Sequence, residues 1–185
     1  YSIALNEKNG RDAASSILTT VRVENNAQLA IAPYYYSTAS IYKGECTSSR
    51  VALMTAKSSD TSLYFAEING EQVWKLVENY LDHTENEFSI TNQYELPILS
   101  GMKITVQKEE DGFSLKDITV DQEEIDKEKE YSILLTDTTR SILEKTIPGC
   151  RIKQLQDMTL SSAWTAFMEK GQQPLAPEDY IEVKK

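Results

Sequence analysis

The chain has 185 residues, 29 of them acidic against 19 basic, for a formal net charge of −10; a phosphate polyanion meets a repulsive far field, which argues against nucleic acid as a partner. That length fits one ordinary domain, able to bury a substantial core without metal or disulfide staples. No apolar run approaches the roughly 20 residues a membrane-crossing helix needs, and Tyr1 opens into SIALNEKNG without a basic and apolar leader, as expected of a mature fragment or an excised piece.

In chain order, Ala14, Ile17, Leu18 and Val21 recur at helical spacing in RDAASSILTTVRVE, and Asn9-Gly10 breaks the chain before them, which predicts a helix over 11–24. QLAIA, closed by Pro33, predicts a buried strand over 28–32. Three consecutive tyrosines follow, Tyr34, Tyr35 and Tyr36, and then a polar loop. LYFAEI predicts a strand over 63–68, and Asn69-Gly70 starts a helix over 70–82 with Val73, Leu76, Val77 and Tyr80 on one face. A hairpin is expected between Met102–Val106 and Ser114–Val120, turning at Glu109-Glu110-Asp111-Gly112. The acidic DQEEIDKEKE stretch reads as a solvated turn, YSILL as a buried strand over 131–135, and SSAWTAFMEK as a helix over 161–170. Trp74 and Trp164 fall within helical faces and read as core.

Titratable residues are sparse in patterns that carry chemistry. His83 is the only histidine and sits in DHTENE, where a solvated loop position is the plainer reading, since no second His or Cys accompanies it. Cys46 and Cys150 lie in turn-like surroundings, and two cysteines without a known compartment leave their pairing open. Glu109-Glu110 and Glu123-Glu124 fall in turns where solvation explains them. Asp137-Thr138-Thr139 at a strand end is a weak nucleophile signal, because no histidine or lysine stands in the same local segment. Nucleotide loops, nucleophile elbows and zinc or calcium motifs are absent.

From Tyr94 to Asp137 the chain carries Ser100-Gly101 before an alternating strand, a hairpin, and then Ile125, Asp126, Lys129, Tyr131, Thr136 and Asp137 at set intervals. That order resembles the C-terminal, substrate-binding domain of the 5'-nucleotidase family. The likeness extends over about Asp12 to Val183, through the strand–Gly–helix order at 63–82 and a tail containing Pro174 and Pro177. It implies an α/β (α+β) fold: one domain over 1–185, with a mixed central sheet of strands near 28–32, 63–68, 98–107, 114–120 and 131–135 and helices near 11–24, 70–82 and 161–170. Residues 1–10 lead in and 171–185 form the tail.

In that family, hydrolysis belongs to a separate N-terminal metallophosphoesterase domain with a divalent metal pair, whose ligand set a chain with one histidine cannot supply. No cofactor is therefore expected in this chain. The family's C-terminal domain sandwiches a nucleobase between two aromatic rings, with Arg, Asn and a backbone glycine as polar contacts; stacking contributes about 1–3 kcal/mol per base. Carried over by position, the Arg slot is Thr38, the first stacking ring falls at Ser59 and its Asn at Thr61, the second ring near Thr139, and the loop after it at Arg140 to Glu144; Gly101 alone is retained. Tyr34, Tyr35 and Tyr36 occupy the family's glycine positions, where they either pack an obsolete cleft or form a new surface; packing is favoured because aromatic clusters are more often core.

The resemblance thus implies a non-catalytic binding or accessory domain of a longer, extracytoplasmic bacterial protein, with a nucleoside-like small molecule or a neighbouring domain as partner. Two alternatives stand beside it: the nucleotide-specificity domain of an intact 5'-nucleotidase whose catalytic half lies elsewhere, and a protein-interaction module built on the tyrosine patch.

Overall fold

Alternation along short strands sets the layering. A computed structural model describes residues 4–5, 8, 10–34, 41, 43–55, 61–82, 90, 93–178 and 180–184. In β2 (Leu29–Ala32), Leu29 and Ile31 join one core cluster while Ala30 and Ala32 join another, because successive strand side chains point to opposite faces. β4 (Ser62–Asn69) and β9 (Glu130–Thr136) do the same, with Ala66, Ile68, Ile133 and Leu135 on the first side and Leu63, Phe65 and Leu134 on the second. With β5 (Ile98–Ser100) and β10 (Ile152–Thr159) they make a five-stranded mixed sheet in the order β10-β4-β9-β2-β5, parallel only between β2 and β9.

The second face is covered by α1 (Gly10–Glu24), α2 (Ser48–Met54) and α5 (Leu160–Glu169), and there Trp164 is fully buried, as its spacing predicted. Against the first face lie α3 (Gly70–Leu81), α4 (Asp137–Thr146) and a four-stranded mixed sheet. That sheet runs β11-β6-β7-β8, from β6 (Lys103–Glu109), β7 (Gly112–Val120), β8 (Glu123–Glu124) and β11 (Tyr180–Lys184), the last parallel to β6. A two-stranded sheet pairs β1 (Ala4–Leu5) with β3 (Gly44–Glu45). Among the described residues no helix is long and apolar enough to cross a membrane.

The expected strand over 98–107 is corrected to two strands in two sheets. Gly101, at φ +78°, ends β5 beside β2, and β6 restarts at Lys103 in the other sheet. The expected loop at Arg140–Glu144 is instead the body of α4, which buries Ile142 and Leu143. The acidic stretch is solvated only in part: Ile125 is buried, and the carbonyls of Lys127 and Lys129 accept the first two amides of α3, from Glu71 at 3.1 Å and Gly70 at 3.0 Å. α3 is further fixed by a reciprocal cap, Asn69 Oδ1 taking the Gln72 amide and Gln72 Oε1 the Asn69 amide, each at 3.0 Å. Cys46 and Cys150 are both free thiols, and burial pushes the pKa of each above its ordinary value.

Candidate functional site

Pairing brings four strand ends to one edge of the large sheet: Ile31 lies opposite Leu135, Leu63 opposite Thr136, and Ala32 opposite Ile98. The C-terminal ends of β2 and β9 thus meet the N-terminal ends of β4 and β5. Tyr34, Thr61 and Thr139 belong to this edge. Tyr34 is half-buried and packs against the cluster under α1 and α5. Thr61 is buried, and its carbonyl accepts the Leu160 amide at 3.0 Å where α5 begins. Tyr35, Tyr36, Thr38 and Ser59, like His83, lie outside the described residues.

Thr139 is fully buried. Its hydroxyl accepts the Thr136 amide at 2.9 Å and donates toward the Ile31 and Thr136 carbonyls, each at 3.2 Å. The side chain caps α4 and ties it to β2, so its one polar atom is used within the fold. Asp137 beside it is also engaged: its carboxylate accepts the Ser62 amide at 2.9 Å and the Tyr64 hydroxyl at 2.8 Å. Burial, then the hydrogen bond to Asp137, holds the Tyr64 phenol above its usual pKa. The nucleophile signal at Asp137-Thr138-Thr139 therefore resolves, for its first and last members, into a strand-to-helix cap.

Two further side chains stand at this edge: Arg140, which the resemblance placed only in a loop, and Tyr94, to which it gave no role. The Arg140 guanidinium lies over the Tyr64 ring at 5.1 Å and pairs with Glu144 at 2.6 Å, while its buried Nε has no hydrogen-bond partner among the described residues. Tyr94, on a 3-10 turn (Gln93–Glu95) just ahead of β5, is 74% exposed. The only sequence signal for Tyr94 was an aromatic ring a few residues before the Pro97-bounded strand.

Gly101 sits elsewhere. Ser100 pairs with Ala30, so Gly101 lies beside Gln28 at the opposite end of β2, where a Cβ would stand 2.1 Å from the Gln28 carbonyl oxygen. Glycine is needed there for close backbone approach. The Gly101 amide points at Glu178 Oε2, 3.1 Å away. An open groove of about 800 Å³ passes this point, lined among others by Arg22, Gly101, Asp117, Glu178 and Tyr180. Among the described residues no group of three or more His, Cys, Asp or Glu side chains is placed to hold a metal ion.

The α/β architecture, with its five- and four-stranded sheets, is matched by known proteins. Residues 5–141 fit the family model for the 5'-nucleotidase C-terminal domain, and the chain belongs to that family. A 5'-nucleotidase precursor from Thermus thermophilus superposes with a TM-score of 0.70 at 16% identity, covering 98% of this chain and 38% of that one. The NAD nucleotidase of Haemophilus influenzae gives 0.70 at 14%, covering 94% and 33%. A Staphylococcus aureus structure described as a 5'-nucleotidase, in complex with alpha-ketoglutarate, gives 0.65 at 13%, covering 91% and 36%. At such identities the likeness shows the fold, and this chain spans between 33% and 38% of the length of those three structures. No curated protein sequence matches it.

Proposed function

We propose that this chain is a non-catalytic, extracytoplasmic binding or accessory domain of a longer protein, whose cleft no longer stacks a base in the family's manner. The observation that carries this reading is Thr139. Near where the resemblance carries the family's second stacking ring lies Thr139, a fully buried threonine whose hydroxyl is committed to the Thr136 amide and the Ile31 carbonyl. A ring at position 139 itself would dismantle the cap of α4. A small-molecule partner is supported by a similar structure solved in complex with alpha-ketoglutarate, and the exposed Tyr94 and the Arg140–Tyr64 pair are aromatic and cationic groups at the strand-end edge. The test is a phosphate-release assay on the chain with AMP in the presence of Mg²⁺ or Mn²⁺. Release no faster than in buffer is expected, and sustained turnover would refute the non-catalytic reading.

A second reading, the specificity domain of an intact 5'-nucleotidase, is supported by the share of the T. thermophilus chain that is covered, 38%. It requires a metallophosphoesterase domain rich in His and Asp encoded upstream, and nucleoside binding by this domain. The interaction-module reading rests on Tyr34, Tyr35 and Tyr36. Tyr35→Ala and Tyr36→Ala should weaken any partner that uses the patch, and unchanged affinity in both removes that idea.

A further inference from the structure

Away from the strand-end cleft, three donors from three parts of the chain converge on a single oxygen. Arg22 Nη2 at the end of α1 reaches Glu178 Oε2 at 2.8 Å, Ser100 Oγ at the end of β5 reaches it at 3.1 Å, and the Gly101 amide reaches it at 3.1 Å. The guanidinium is itself fixed: Nε donates to Ser100 Oγ at 2.7 Å, and Nη1 donates to the carbonyls of Ala27 and Gln28, each at 3.0 Å. A guanidinium, a hydroxyl and a backbone amide aimed at one point form an oxyanion receptor. Its rigidity is built in, since Gly101 is locked by the Gln28 carbonyl and the Arg22 side chain is only 13% exposed.

The occupant arrives on a segment outside the sheets. Residues 172–178 have no strand pairing, and hydroxyls of α1 hold them instead. Leu175 donates its amide to Thr20 Oγ1 at 3.0 Å and accepts Ser16 Oγ and Lys8 Nζ at its carbonyl, and the Glu178 amide donates to Ser15 Oγ at 2.9 Å. Ser15, Ser16 and Thr20 are almost fully buried under this strap. The Glu178 side chain, by contrast, is 37% exposed and lines the groove of about 800 Å³. Its second carboxylate oxygen makes no hydrogen bond to any described residue.

We propose that Arg22, Ser100 and Gly101 form a carboxylate-binding site, which Glu178 fills as a tethered internal ligand and which a small organic acid entering the groove occupies in its place. One oxygen gripped by three donors with the other left to solvent suits a carboxylate, whereas a phosphate would leave further oxygens unpartnered. The tether raises the local concentration of Glu178 and so weakens the apparent affinity for a free competitor. This site is at the opposite end of β2 from the edge that holds Tyr34, Thr61 and Thr139 and stands or falls independently of the reading above.

Glu178→Ala removes the tethered ligand. Calorimetric titration of the full chain with succinate at low salt should show binding at least tenfold tighter in Glu178→Ala than in the unsubstituted protein, and adding Arg22→Gln should abolish the gain. A cooperatively melting Glu178→Ala with no such gain overturns the proposal, as does a gain that survives Arg22→Gln. Inorganic phosphate binding tighter than succinate also overturns it, making the site a phosphate site. Should Glu178→Ala not fold, the Gly101 amide resonance of the unsubstituted protein is followed under succinate. A saturable shift that Arg22→Gln removes supports the site, and a resonance that stays unmoved overturns it.

Discussion

The carbonyl oxygen of Asp126 lies 2.2 Å from where a Cβ on Gly70 would be. The first residue of α3 is therefore packed directly beneath the loop that leads from β8 to β9, and the Gly70 amide donates to the Lys129 carbonyl from within that contact. Asp126 is held in turn by Tyr131, whose hydroxyl accepts its amide at 3.3 Å. The Asp, Lys and Tyr spaced along this segment are thus a structural clasp on α3.

Gly70→Ala should destabilise the protein by about 3 kcal/mol, the upper part of the range for overpacking a tight contact. For a chain of this size that lowers the melting temperature by roughly 6 to 12 °C. Gly149→Ala is the comparison: no atom stands within 4 Å of its Cβ, so only its φ of +86° opposes substitution, and the loss should stay nearer 1–2 kcal/mol. Thermal denaturation of both variants followed by circular dichroism checks the order.

The turn between β7 and β8 should be improvable. Val120 pairs with Glu123, leaving Asp121 and Gln122 as a two-residue loop with φ of 53° and 70°. Such a turn favours Asn or Asp followed by Gly. Gln122→Gly removes a left-handed penalty of about 1–2 kcal/mol and adds about 0.5–1 kcal/mol of unfolded-chain entropy, for a net gain of up to about 1 kcal/mol. A higher denaturant midpoint at unchanged slope is the expected result.

Tyr64 gives the fold an alkaline signature. Its pKa is raised in the folded protein by burial and by the bond to Asp137, so the folded state holds the phenolic proton more tightly than the unfolded chain does. The resulting stabilisation is complete below the ordinary tyrosine value of about 10 and is lost as pH rises through the elevated folded value. Denaturant melts between about pH 8 and 11 should show a shallower alkaline decline for Tyr64→Phe than for the unsubstituted protein.

The sequence showed the fold best where one strong constraint acts locally. Asn69-Gly70 followed by Val73, Leu76, Val77 and Tyr80 announces α3, and the helix observed over Gly70–Leu81 ends within a residue of that expectation. α4 was hidden because DTTRSILEKT is mostly polar and anchors through only a few buried residues, Thr139, Ile142 and Leu143. β10 was hidden because IKQLQDMT lies at a sheet edge with no buried residue, and its run is bent at Asp157, φ 55°. For the site, matching positions to a family grouped Gly101 with Tyr34, Thr61 and Thr139, whereas strand direction decides which end of β2 a residue occupies. Antiparallel pairing of Ala30 with Ser100 puts Gly101 at the far end. The buried hydroxyls Ser15, Ser16 and Thr20 carried no local signal, because the tail they hold lies more than 150 residues away.

We propose that this domain retains the family's fold without its base sandwich. A thermal-shift titration with adenosine, AMP and NAD tests it most directly, because a ligand present at 100 times its dissociation constant adds about 2.7 kcal/mol of stability. The account predicts an unmoved melting temperature at millimolar nucleoside or nucleotide. A saturable, reproducible rise with adenosine, lost in Tyr94→Ala or Tyr34→Ala, would contradict it and establish a rebuilt nucleoside site at the strand ends.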